Sequence, residues 1–132
     1  MSLEKAIRTR WSGDDALTSL VPVTKLATGV ALNDPARPYV TLHRGGSGSS
    51  LHTSSRRVDK IDVRFEVWTE DLDEGKNIAD AVAARFDRQR FLLDGGGAVR
   101  MRRIGHEEHH DDQGVWRLSL HYTATAAQPT GA

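Results

Sequence analysis

His106, Glu107 and His110 fit the pattern H-E-x-x-H, in which two histidines one helical turn apart hold a zinc ion and the glutamate polarises the metal-bound water. That chemistry needs a helix with an apolar back to bury. From His106 to Gln113 there is no apolar side chain, and glycines flank the stretch at Gly105 and Gly114. Such a segment reads as a solvated loop between two strands. No later helix supplies a third ligand, because His121 falls in a strand-like run. A zinc-dependent hydrolase using His106, Glu107 and His110 therefore stands as an alternative only, and nothing in the sequence requires a cofactor. His109 and His110 could take up transition metal adventitiously, a weak property of any exposed histidine cluster.

No other catalytic set assembles. There is no G-x-S-x-G, and the serines concentrate in a loop with no positioned base. Gly45, Gly46, Ser47 and Gly48 share their glycine content with phosphate-cradling loops, but neither a G-K-[ST] ending nor a following helix accompanies them. The stretch from Arg44 to Arg56 has too few apolar residues to offset its ordering entropy, so it is expected to be a mobile connector. The absence of cysteine excludes disulfides, thiolate zinc sites and cysteine nucleophiles, and fits a reducing compartment. With 18 Lys plus Arg against 18 Asp plus Glu, no global charge draws the chain to nucleic acid or anionic lipid. No apolar run is long enough to span a bilayer, and the N-terminus lacks a signal core. The expectation is a cytosolic, soluble chain with no membrane partner.

These residues must be positioned by a small set of elements. Leu3–Trp11 has helical apolar spacing, and Asp14 is a plausible cap for a second short helix over Asp15–Leu20, closed by Pro22. Lys25–Leu32 is mixed, with a short strand as one reading. Asn33-Asp34-Pro35 marks a turn, and Pro38–His43 reads as a strand with proline at its first position. Ile61, Val63, Phe65 and Val67 alternate with Lys60, Asp62, Arg64 and Glu66, the period of a long strand with one dry and one wet face. Charge on the wet face points to an antiparallel sheet. Asp71 caps the main helix, whose stripe Leu72, Gly75, Ile78, Ala79, Val82 and Phe86 packs on the sheet. Ala98–Ile104 and Val115–Thr125 form a hairpin around the histidine loop.

The expected fold is α+β: an antiparallel sheet of about four to five strands, one main amphipathic helix packed on one face, and a short N-terminal helix. Residues 1–125 make a single domain and 126–132 a flexible tail. Arg64, Arg100, Arg102 and Arg117 all take the outward phase of their strands. They form either a solvated face or an assembly surface, since arginine's planar, multi-donor head is favoured at interfaces.

The order of elements resembles the tail-completion or tail-terminator proteins of long-tailed phages and prophages. The matching pieces are Met1-Ser2-Leu3-Glu4-Lys5-Ala6, Asp15-Ala16-Leu17 through Leu20-Val21, and Pro38-Tyr39-Val40. They continue with Val63-Arg64-Phe65-Glu66-Val67-Trp68, Asn77-Ile78-Ala79-Asp80-Ala81-Val82 and Arg117-Leu118-Ser119-Leu120, so the likeness covers roughly Leu3 to Ala124. The Gly/Ser tract and the histidine-rich loop depart from the family's pattern, and both fall in connections. The resemblance implies a structural protein, not an enzyme. It implies a ring, usually a hexamer, that docks on the tail tube protein, stops tube growth and offers a surface to the head connector or stopper protein. DNA would pass through without sequence-specific binding. The protein would work first in the bacterial host cytoplasm and then in the virion, at the tail–head junction. Gly45, Gly46, Ser47, Gly48 and the outward arginines are then candidates for subunit or tube contact. A generic small binding or adaptor domain remains the other alternative.

Overall fold

The computed structural model describes residues 3–28, 36–45, 50–52, 55–93 and 95–129. Helix α1 (Leu3–Ser12) buries Leu3, Ile7 and Trp11, spaced four apart so that they share one face. Asp14 caps α2 (Asp15–Leu20), its carboxylate accepting from the Leu17 N–H at 3.1 Å. One 3-10 turn (Val23–Lys25) leads into strand β1 (Leu26–Thr28). The Arg8 guanidinium donates to the Val23 and Leu26 carbonyls and so ties this segment back to α1.

The remaining elements are β2 (Tyr39–Arg44), β3 (Ser50–His52), β4 (Arg56–Thr69), α3 (Leu72–Phe86), β5 (Arg90–Leu92), β6 (Ala98–His110) and β7 (Trp116–Pro129). They build a seven-stranded sheet in the order β1-β2-β4-β7-β6-β5, with β3 also paired to β4. Strand β1 is parallel to β2, and every other pairing is antiparallel. Strands β4 and β7 pair from Arg56↔Pro129 to Thr69↔Trp116 and form the spine. Because side chains alternate, one face of that spine carries Ile61, Val63, Phe65 and Val67 opposite Leu118, Leu120, Tyr122 and Ala124, all buried.

Helix α3 covers this face with Ile78, Ala79, Val82 and Phe86. Asp71 caps it, accepting from the Asp73 N–H at 3.0 Å. Gly75 lets the helix approach the sheet closely, since a Cβ there would lie 2.8 Å from Thr69 Cγ2 and 3.0 Å from Leu118 Cδ1. Trp11, Phe65 and Phe86 meet at the centre, with ring centroids 5.4–6.3 Å apart, and Phe65 meets Tyr122 edge-on at 5.6 Å. The same aromatic cluster thus joins α1, the sheet and α3. Arg10 Nε donates to the Arg85 carbonyl and Arg85 Nε to the Arg10 carbonyl, at 2.8 and 3.0 Å. Two C-terminal helix turns thereby satisfy each other's open carbonyls.

The α+β class holds, but the sheet is larger than the four to five strands expected. Strands β1, β3 and β5 are three residues each, too short for alternation to register in sequence. Strand β3 lies inside the stretch expected to be a mobile connector. Its ladder to Arg57, Val58 and Asp59 holds it, not its own apolar content. Strand β7 runs to Pro129 with Ala126 buried, past the boundary set at residue 125. The turn at Asn33-Asp34-Pro35 lies outside the described residues.

Candidate assembly surface

The face of the sheet away from α3 carries the opposite phase of every strand. Register aligns its residues in cross-strand rows: Tyr39, Trp68, Arg117 and His109; then Thr41, Glu66, Ser119 and Glu107; then His43, Arg64 and His121. Further down come Asp62, Thr123 and Arg102, and finally Lys60, Thr125, Arg100 and Arg90. All four outward arginines expected from the sequence therefore share one face, but not one spot. Arg117 and Arg64 sit at the upper end, Arg102 and Arg100 at the lower.

The upper end is more structured than a solvated surface. Glu66 is only 9% exposed, and Thr41 and Ser119 are also buried. Glu66 Oε1 lies 3.0 Å from Arg64 Nε, and its Oε2 lies 3.5 Å from His43 Nε2. The Arg64 Nε–H is not aimed at that oxygen, so the contact is ionic without being a directed hydrogen bond. Trp68 Nε1 donates to Thr41 Oγ1 at 3.2 Å, Tyr39 stacks on Trp68 at 5.9 Å, and the Arg117 guanidinium lies 5.7 Å from the Trp68 ring. Beside this network is a hollow of about 440 Å³ lined by His43, Arg44, Asp62, Arg64, Ile104 and His121. His121 Nε2 at this hollow, and Arg117 Nε two cross-strand rows above it, are buried with no hydrogen-bond partner among the described residues. Buried polar atoms are normally paired, so such groups mark a face that another molecule can complete.

Sequence parity placed the arginines and Glu66 outward but did not single out Trp68, Tyr39 and His43. Their signal was present: two aromatic residues in the outward phase of strands, where a solvated face would carry polar groups.

Gly45 does not belong to a free loop. Its N–H donates to the Asp62 carbonyl at 2.7 Å, and a Cβ would lie 2.9 Å from Asp62 Cβ, so it extends β2's pairing to β4 at a point of close approach. Gly46, Ser47 and Gly48 lie outside the described residues.

The histidine pentapeptide is neither loop nor helix. His106–His110 forms the distal half of β6, paired with β7 from His106↔Leu120 to His110↔Trp116 after a register shift between Arg103 and Gly105. The turn is Asp111–Gly114, where Asp111 accepts from the Gln113 and Val115 N–H groups at 2.8 and 2.9 Å. Those two donors hold its carboxyl below the usual carboxylate range, the Val115 bond contributing more. In a strand, residues four apart lie roughly 13 Å apart, and the residue after the first points to the other face. His106 and His110 cannot share an ion in this arrangement, and Glu107 cannot serve both. This contradicts the zinc alternative. Among the described residues no group of three His, Cys, Asp or Glu could hold a metal. His106 Nε2 instead lies 3.3 Å from Glu108 Oε1, and His110 stacks on Trp116 at 4.3 Å.

This helix-backed sheet with an elaborated polar face has a fold that recurs in a virion. A chain of the virion of a native gene transfer agent particle superposes with a TM-score of 0.75 at 19% identity, covering 96% of this chain and 95% of that one. The chain also matches the family model "Tail completion protein gp17" over residues 5–127, and it belongs to that family. Membership makes it a structural protein of virion assembly of phage tail type. No curated protein matches it significantly. No helix among the described residues is long and apolar enough to cross a membrane.

Proposed function

We propose that the protein forms an oligomeric ring, a hexamer on the tail, that caps the tail tube and joins it to the head connector. The observation that carries this reading is the family match across residues 5–127, nearly the whole chain. The polar face supports it, because Arg117 Nε and His121 Nε2 have no hydrogen-bond partner among the described residues, as expected of a surface completed by a neighbour. Arg64 and Arg117 serve contact with the tube or a neighbouring subunit, with Arg100 and Arg102 at the other end of the same face. Gly45 to Gly48 contribute to the same contacts. DNA passes through the ring without sequence-specific binding. The protein acts in the bacterial host cytoplasm during assembly and then at the tail–head junction of the virion.

Inactivating the gene and imaging the lysate by electron microscopy tests this. Filled heads and unjoined tails, with tubes of irregular length, are expected; a normal yield of joined particles contradicts the reading. Substituting residues 46–49 with an equally long foreign linker should leave the melting temperature unchanged and reduce joined particles.

A further inference from the structure

The lower end of the helix-free face holds a cleft of about 300 Å³ lined by Arg56, Arg90 and Arg100, with Thr125, Ala127 and Gln128 among its other residues. Among its described lining residues none is a carboxylate. Arg90 and Arg100 are direct partners across the β5–β6 register and face each other with like charge. Like charges directly opposite on a sheet are destabilising, and neither makes an ion pair among the described residues. An adjoining hollow of about 670 Å³ shares Arg56, Gly96 and Pro129 and adds Leu51 and Val58. Leu51 is 65% exposed. The whole groove therefore asks for a ligand that is anionic on one side and apolar on the other.

The same hairpin supplies the complement at its far end. From Arg100 to His110, β6 runs roughly 33 Å, and its tip carries Glu107, Glu108, Asp111 and Asp112, all exposed. His110 and Arg37 both act electrostatically on Asp111, and Arg37 is itself held by Glu70 at 2.8 Å. Beside the acids, the His110–Trp116 stack offers a flat aromatic surface. Arg100 and the tip are too far apart on one rigid strand to meet within a molecule. Two different complementary surfaces at opposite ends of one subunit are what a head-to-tail ring requires.

We propose that the arginine cleft of one subunit receives the acidic β6–β7 hairpin tip of the next copy, so that Arg90 and Arg100 are neutralised only in the assembled ring. This rests on the ring reading above and assigns its subunit contact. The experiment measures the assembly of the full-length chain, free and on isolated tails, by native mass spectrometry and electron microscopy. Arg90→Glu with Arg100→Glu abolishes assembly, as does Glu107→Arg with Glu108→Arg and Asp112→Arg; all variants melt cooperatively. Placing both sets in one chain restores assembly. Because the chain lacks cysteine, Arg100→Cys with Asp112→Cys in a single chain gives an oxidised ladder ending at the ring, whereas each single variant stops at dimers. Should the charge-reversed chains be poorly folded, the cysteine ladder decides. Wild-type assembly with no ladder, or no rescue by the combined set in folded chains, overturns the contact and leaves the ring reading standing. Failure of the wild type to assemble in either setting overturns both. Normal assembly of the cleft variant with lost retention of duplex DNA overturns it in favour of phosphate as the occupant.

Discussion

Tyr122 shows how a single residue can work against its own fold. Its ring anchors the aromatic core edge-on to Phe65, yet its hydroxyl is buried without a partner among the described residues. Burial pushes its pKa up to about 12, with Arg103 pulling weakly the other way. Between pH 10 and 12 the unfolded chain loses the phenolic proton while the folded chain keeps it, so stability falls as pH rises. The loss across that window is on the order of 2–3 kcal/mol. Tyr122→Phe should flatten this alkaline slope in urea titrations and raise neutral-pH stability by about 1 kcal/mol, since an unpaired buried polar group is removed. An unchanged slope would mean the hydroxyl is hydrated. At this scale the sequence was informative about phase and uninformative about partners. Alternation placed Arg64 and Arg117 outward, but the burial of Glu66 depends on His43, Arg64 and their neighbours from other strands. H-E-x-x-H misled because its letters presume a helix, and the polypeptide is extended there.

Among the elements, the long ones were legible and the short ones were not. Strand β4 and helix α3 each repeat their period several times, so one face declares itself. Strands β1, β3 and β5 exist because a longer neighbour offers hydrogen bonds, which no local pattern records. The distal half of β6 is exposed from Gly105 to His110, so it lacks the alternation by which strands are read. Its form comes from the ladder to β7 and from the Asp111 turn. Asp111→Ala should therefore loosen the hairpin tip and raise amide exchange at Gln113 and Val115 while leaving exchange at Met101 unchanged. The packing of α3 makes a sharper prediction. Gly75→Ala gains roughly 1 kcal/mol of helix propensity, but its methyl group meets Thr69 and Leu118 inside ordinary contact distance. Overpacking of this kind typically removes about 1–3 kcal/mol, so the melting temperature should fall rather than rise. A rise would show that α3 can shift outward without loss.

At the scale of the molecule, zero net charge conceals an uneven distribution: Arg90 and Arg100 face each other at the base of the sheet, and Glu107, Glu108, Asp111 and Asp112 gather at the β6–β7 tip. Contacts between such ends weaken as salt screens them, with a Debye length of about 3 Å at 1 M against about 10 Å at 0.1 M. Assembly should therefore loosen as salt rises over that range, which sedimentation velocity would follow; salt-independent assembly would point to an apolar interface. Composition could exclude enzymatic classes built on cysteine, and the order of elements carried the family. Neither could specify how copies meet, because that depends on surfaces joined only by folding. On the function proposed above, the chain acts by shape, as a closed ring at the end of a tail. Cryo-electron microscopy of isolated tails tests it most directly. Density for this chain is expected as one ring at the head-proximal end. Its absence there, or its distribution along the tube, would rule out a terminal ring.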